Sequence, residues 1–210
     1  MSSILVLKSS VLGDASASNP LVDEIVSALI AQQPSSSRIV ERDLAIEPIP
    51  HLTIDSAAVL RGAEPANAEQ AAALALSDAL IRELRAADTI VIGAPMYNFG
   101  IPSALKSWFD HVLRAGVTFR YGDSGAEGLV RGKRAIVVLT RGGFYSDGPA
   151  QALDSQEPHI RTLLNFIGIE DVVFVRVEKL GLGPDHRELS LADARRRVAE
   201  LTTVPITAAA

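Results

Sequence analysis

Apolar residues recur along this chain in two rhythms: short unbroken runs, and longer stretches where they return every three or four positions. The unbroken or nearly unbroken runs cover residues 4–7, 89–94, 134–140 and 172–177, and 38–43, with Ile39 and Val40 as its core, is a further candidate strand. Bounded by polar turns, such runs predict strands buried on both faces, as in a parallel sheet. Between them fall the helical rhythms. Leu21, Ile25, Val26, Leu29 and Ile30 line one face of 19–33, and Leu74, Leu76, Leu80, Ile81 and Leu84 do so in 67–85. Leu105, Trp108, Phe109 and Val112 fall at i, i+3, i+4 and i+7 after Pro102, and shorter helices are expected over 159–166 and 189–201. Strand and helix alternating five times predict a doubly wound α/β sheet in the order 2-1-3-4-5, with helices on both faces.

Two stretches break the alternation. Residues 44–68 are irregular and proline-rich, with a short helix expected near 56–60, and 115–132 carries Phe119, Tyr121 and several glycines. Both read as surface excursions, because the alternation resumes after each. With no repeat and no low-complexity tract, the chain is expected to form one domain over 1–204, with 205–210 as a frayed tail.

In this topology the chain reverses between the first and third strands, and ligands bind where strand ends open at that point. Three loops converge there. The first, 8–18, brings Ser9, Ser10, Gly13, Ser16, Ala17 and Ser18 into a helix start with Ser18 or Asn19 as cap and Pro20 in the first turn. Hydroxyls plus free helix N–H groups bind phosphate without a lysine. The second loop, Pro95, Met96, Tyr97, Asn98, Phe99 and Gly100, offers backbone amides, a side-chain amide and aromatic rings. The third, Thr140, Arg141, Gly142 and Gly143, has two glycines that let backbone approach a flat ligand. Singly, each signal has a plainer reading: serines cap helices, Asn98 forms turns, paired glycines turn tightly, and Phe119, Phe166 and Trp108 fill cores. Together the loops describe a site for a flat polar heterocycle with a phosphate tail.

Composition narrows the chemistry. At 210 residues, 48% apolar and 21% charged, with net charge −5, the chain is an ordinary globular protein without a basic stripe for nucleic acid. No apolar run approaches the ~18 residues that span a bilayer, and a cytoplasmic location with no membrane contact is expected. The absence of cysteine excludes disulfides and thiolate catalysis, so redox work needs a bound cofactor. His51, His111, His159 and His186 have no ligand spacing, and no metal site is expected. Gly181 and Gly183 lack the third glycine of a dinucleotide fingerprint, and 122–125 reads as a turn.

The run Ala94, Pro95, Met96, Tyr97, Asn98, Phe99, followed by 115–119, the Arg141, Gly142, Gly143 turn and the Asn165, Phe166, Ile167, Gly168, Ile169 segment, resembles the bacterial FMN-dependent NADH:quinone oxidoreductases, also called azoreductases. The resemblance covers nearly the whole chain in order. It implies a flavodoxin-like fold, a homodimer with one FMN per subunit, and ping-pong chemistry with NADH as donor and quinones or aromatic azo compounds as acceptors. By position it implies that Ser10, Ser16, Ala17 and Ser18 hold the FMN phosphate. Pro95, Met96, Tyr97, Asn98 and Phe99 would contact the ribityl chain and ring, and Thr140, Arg141, Gly142 and Gly143 the ring's other edge. Thr140 keeps the hydroxyl of the serine more usual there, while Phe144 and Tyr145 replace a commoner small or histidine-containing loop. Phe99, Phe119, Tyr121, Tyr145 and Phe166 are the candidates for the substrate sandwich, with Phe166 contributed by the partner subunit. No residue is needed as an acid or base, since the hydride chemistry belongs to the flavin.

Two other readings share this fold and cofactor. A flavodoxin-like electron carrier has a threonine-rich phosphate loop and an acidic rim, where this chain has serines and Met96, Phe99 and Phe144. A related NADPH-dependent FMN, chromate or nitro reductase differs only in its substrates.

Overall fold

Side chains alternate between the two faces of a strand, and in β1 (Ser2–Lys8) both faces are apolar. Leu5 and Leu7 point into one layer, and Ile4 and Val6 into the other. The computed structural model describes residues 2–32, 37–123 and 125–203, so the expected tail at 205–210 lies outside the described residues. β1 pairs in parallel with β2 (Ser37–Asp43) and β3 (Thr89–Pro95), β3 with β6 (Arg134–Thr140), and β6 with β7 (Asp171–Val177). The order β2-β1-β3-β6-β7 is the 2-1-3-4-5 topology, once a separate two-stranded hairpin is set aside.

One face is covered by α3 (Ala68–Ala86), α4 (Ser103–Val112) and α5 (Glu157–Phe166), which bring Leu80, Leu84, Trp108, Phe109 and Ile160 onto the sheet. The other is covered by α1 (Ser18–Gln32) and α6 (Pro184–Thr203), through Leu21, Val22, Ile25 and Val198. β3 lies mid-sheet and is buried along its whole length, which fixes the loop that follows it. β2 is an edge strand. Ile39, expected in its core, is 42% exposed, and Val40 packs against the α3 layer instead.

Several local structures refine the sequence reading. The short helix expected near 56–60 is α2 (Ile54–Leu60), entered through a capping box between Thr53 and Ser56. α6 begins five residues before the apolar rhythm does, with Pro184 as its first residue. The second excursion contains a hairpin of β4 (Phe119–Gly122) and β5 (Gly125–Gly128), antiparallel and outside the main sheet.

Candidate functional site

The loop after β1 is tied to the sheet before it reaches α1. The Ser9 hydroxyl donates to the Gly93 carbonyl at 2.6 Å, and the Val11 amide donates to the Tyr97 hydroxyl at 3.0 Å. Ser10, Ser16 and Ser18 are all buried. The cap of α1 is Ser16, earlier than the sequence suggests: its hydroxyl accepts the Asn19 amide at 3.1 Å and lies 3.2 Å from the Ser18 hydroxyl. Lys8, the nearest cation in sequence, is held by Asp23 at 2.7 Å and Glu41 at 2.8 Å. An anion here meets hydroxyls, amides and the positive end of α1. Gly93 lets α1 come close, because a Cβ there would lie 3.1 Å from Val22 Cγ2 and 3.6 Å from Ser18 Cβ.

The β3 loop is a tight hairpin. Tyr97 and Gly100 exchange backbone hydrogen bonds of 3.0 and 3.1 Å, with Asn98 (φ 48°) and Phe99 (φ 71°) in the two positive-φ positions between them. Asn tolerates this conformation, whereas Phe is strained by it. The Phe99 ring is 46% exposed and meets Tyr145 edge-on at 6.2 Å. Met96 N–H donates to the Thr140 carbonyl at 2.8 Å, which stitches this loop to the one after β6.

In that third loop, the Tyr145 ring lies against Gly143, where a Cβ would be 3.0 to 3.1 Å from two ring carbons and the phenolic oxygen. A Cβ at Gly142 meets nothing within 4 Å, while its carbonyl on the other side accepts the Gly181 amide at 2.9 Å. Phe144 is partly exposed, and Lys179 Nζ sits 4.4 Å from its ring centre. The Arg141 side chain is fully buried among Asp154, Gln156 and Glu178, so what this residue presents to the loop is its backbone. Burial pushes the Glu178 carboxyl up, but the Ser146 hydroxyl, the Tyr145 amide and the Arg141 guanidinium outweigh it and hold the group below its ordinary value.

The structure thus gathers Ser10, Ser16, Ala17, Ser18, Pro95, Met96, Tyr97, Asn98, Phe99, Thr140, Gly142, Gly143 and Tyr145 at the carboxyl ends of β1, β3 and β6. It does not bring Phe119, Tyr121 and Phe166 there. These three form their own cluster, with Phe119 4.6 Å from Phe166 and 5.6 Å from Tyr121. α5 starts at Glu157, beside Arg141, and ends at Phe166, about 15 Å away along the helix. Sequence reasoning missed Asp154, Gln156 and Glu178, which hold the loops from beneath, and Gly93, whose one signal is a glycine inside a strand. Among the described residues no group of His, Cys, Asp or Glu is placed to hold a metal.

The flavodoxin-like fold family matches residues 2–201. An FMN-dependent NADH:quinone oxidoreductase of Hyphomonas neptunium is 49% identical over 210 residues, all of both chains. The chain belongs to this family. The FMN-dependent NADH:quinone oxidoreductase of Vibrio vulnificus is 50% identical over 96% of this chain and 100% of its own. Among solved structures of the flavodoxin-like fold, an azoreductase from Bacillus anthracis superposes with a TM-score of 0.86 at 26% identity, covering 96% of this chain and 99% of that one. A doubly wound sheet places its ligand at the carboxyl strand ends where the order reverses, which is where these loops lie.

Proposed function

We propose that this chain is an FMN-dependent NADH:quinone oxidoreductase that also reduces aromatic azo compounds. The observation that supports it best is the joining of three strand-end loops, by Val11 to Tyr97 and by Met96 to Thr140, around buried hydroxyls and the exposed turn at Gly142. The residues present fit the cofactor. Ser10, Ser16, Ser18 and the start of α1 suit a phosphate. The buried Asn19 Oδ1 has no hydrogen-bond partner, so the first turn of α1 keeps an amide side chain to be satisfied. FMN, when bound, takes a hydride from NADH and delivers two electrons to the acceptor. The chain's own work is to hold and cover. Ser10, Ser16, Ala17 and Ser18 grip the phosphate, and Pro95 to Phe99 flank one side of the ring. Thr140 to Gly143 approach its other edge through backbone, and the Phe99 and Tyr145 rings stack the acceptor and exclude water. No side chain is assigned as acid or base.

The test uses one cuvette. Protein reconstituted with FMN is treated anaerobically with NADH and then with a benzoquinone. Bleaching by NADH followed by stoichiometric return of colour is expected. FMN binding without bleaching by NADH overturns the enzyme reading in favour of a carrier.

We further infer a homodimer, in the cytoplasm where NADH is supplied, built from one folding unit over 1–204. The dimer reading is supported by the aromatic cluster: Tyr121 is 74% exposed, and Phe166 lies a helix length from its own chain's site, where a partner's site could take it. No helix among the described residues is long and apolar enough to cross a membrane. Light scattering at micromolar concentration is expected to give twice the chain mass, and a monomer would remove Phe166 from the substrate site.

A further inference from the structure

A single buried guanidinium lies behind two of the three loops. Arg141 is 1% exposed and makes three directed hydrogen bonds: Nε to Gln156 Oε1 at 2.8 Å, Nη2 to Asp154 Oδ2 at 2.8 Å, and Nη1 to Glu178 Oε1 at 3.1 Å. Each partner passes the constraint on. Gln156 Nε2 donates to the Ala94 carbonyl at 2.7 Å, immediately before Pro95. Glu178 Oε1 accepts the Tyr145 amide at 2.7 Å and the Ser146 amide at 3.1 Å, and the Ser146 hydroxyl bonds the other carboxylate oxygen. Asp154 Oδ1 holds the entry to α5, accepting the amides of Gln156 at 2.9 Å and Glu157 at 3.2 Å.

We propose that Arg141 is a positioning residue that sets the 95–99 loop and the 140–145 loop at a fixed separation, acting through Gln156 on the first and Glu178 on the second. The proposal rests on reading these loops as the two walls of the flavin site. Stability alone does not account for the arrangement, since a buried ion cluster gains little over well-packed apolar groups. What apolar groups cannot do is fix three partners at set angles. A planar guanidinium does this, and a lysine ammonium, with one nitrogen, does not. Gln156 reaches the end of β3 at Ala94, Glu178 reaches the amides of Tyr145 and Ser146, and Asp154 fixes the Gln156 amide.

The test compares Arg141→Lys, Gln156→Met and the double variant with the unmodified protein. Two quantities are read below the melting temperature: the FMN dissociation constant of the apoprotein, from flavin fluorescence quenching, and the visible circular dichroism of bound FMN. Each single variant is expected to weaken FMN binding by roughly tenfold, the scale of one charge-assisted hydrogen bond. Each should also change the flavin dichroism. The double variant should be about as weak as Arg141→Lys alone, because Gln156→Met removes only the arm that Arg141→Lys has already cut. Folded single variants with unchanged FMN affinity and dichroism, or losses that simply multiply, overturn the proposal. Should Arg141→Lys fail to fold, Gln156→Met decides by the same two readouts, since it leaves every charge in place. Failure of the unmodified protein to bind FMN would instead strike the functional reading itself.

Discussion

Gly128 and Gly168 meet backbone to backbone: a Cβ on Gly128 would fall 2.1 Å from the Gly168 nitrogen and 2.3 Å from the Ile167 carbonyl carbon. The contact seats the β4–β5 hairpin on the end of α5, where Val130 N–H also donates to the Ile167 carbonyl at 2.8 Å. It therefore sets where Phe119 meets Phe166. Backbone on both sides cannot give way like a side chain, so Gly128→Ala should cost about 3 kcal/mol, the upper end for overpacking. A fall in melting temperature of roughly 6–12 °C is expected for a chain of this size. A variant that melts with the parent would mean the hairpin moves freely on α5.

Gly93→Val tests the anion site from behind. The new side chain would press on Val22 and Ser18 and push the first turn of α1 away from the sheet. FMN affinity should fall by about tenfold or more, because the helix amides and hydroxyls act only at hydrogen-bond range. Equilibrium binding to the apoprotein measures this. Unchanged affinity in a folded variant would place the phosphate elsewhere.

The sheet was readable in the sequence because both of its faces are covered. A strand apolar on both sides, such as 89–94, leaves an unbroken run that no exposed segment imitates. The β4–β5 hairpin left no such trace: Arg120, Tyr121 and Glu127 are half or more exposed or paired in solvent, and glycine stands at both ends of β5. The start of α6 was hidden likewise, since Asp185, His186, Arg187 and Glu188 carry no apolar rhythm. In the site, Ser10 to Ser18 and Pro95 to Phe99 are local motifs and could be read as such. Arg141 could not. Its burial depends on Asp154, Gln156 and Glu178, which lie 13 to 37 residues away and converge only through the fold.

Acid should loosen the support beneath the loops. Glu157 and Glu178 are each raised by burial but more strongly lowered by their partners, Arg176 and Arg161 for the first and Ser146, Tyr145 and Arg141 for the second, so both lie below the ordinary 4.5. A carboxyl that titrates lower when folded than unfolded adds stability above its unfolded value, and that stability is lost as pH falls through the folded one. The urea midpoint should hold from pH 7 to about 5 and then drop towards pH 3. Glu178→Gln should lower the midpoint at pH 7 and flatten the fall below pH 5. Parallel curves for the two proteins would show that Glu178 titrates alike in both states.

Phe99 sets strain against contact. Its φ of 71° costs an ordinary side chain about 1–2 kcal/mol, which glycine avoids. Glycine also loses roughly 0.5–1 kcal/mol more chain entropy on folding, and the edge-on contact with Tyr145 disappears. These terms nearly cancel, so Phe99→Gly should leave stability within about 0.5 kcal/mol of the parent. The acceptor site has no such compensation, because the partly exposed ring is one of its faces. Removing it should raise KM for a benzoquinone by about tenfold, the scale of one lost aromatic contact with its buried area, while the NADH-driven bleaching of FMN persists. Stopped-flow measurement of the two half-reactions separates these effects. An unchanged quinone KM would mean that the ring is held in its strained turn for some purpose other than stacking the acceptor.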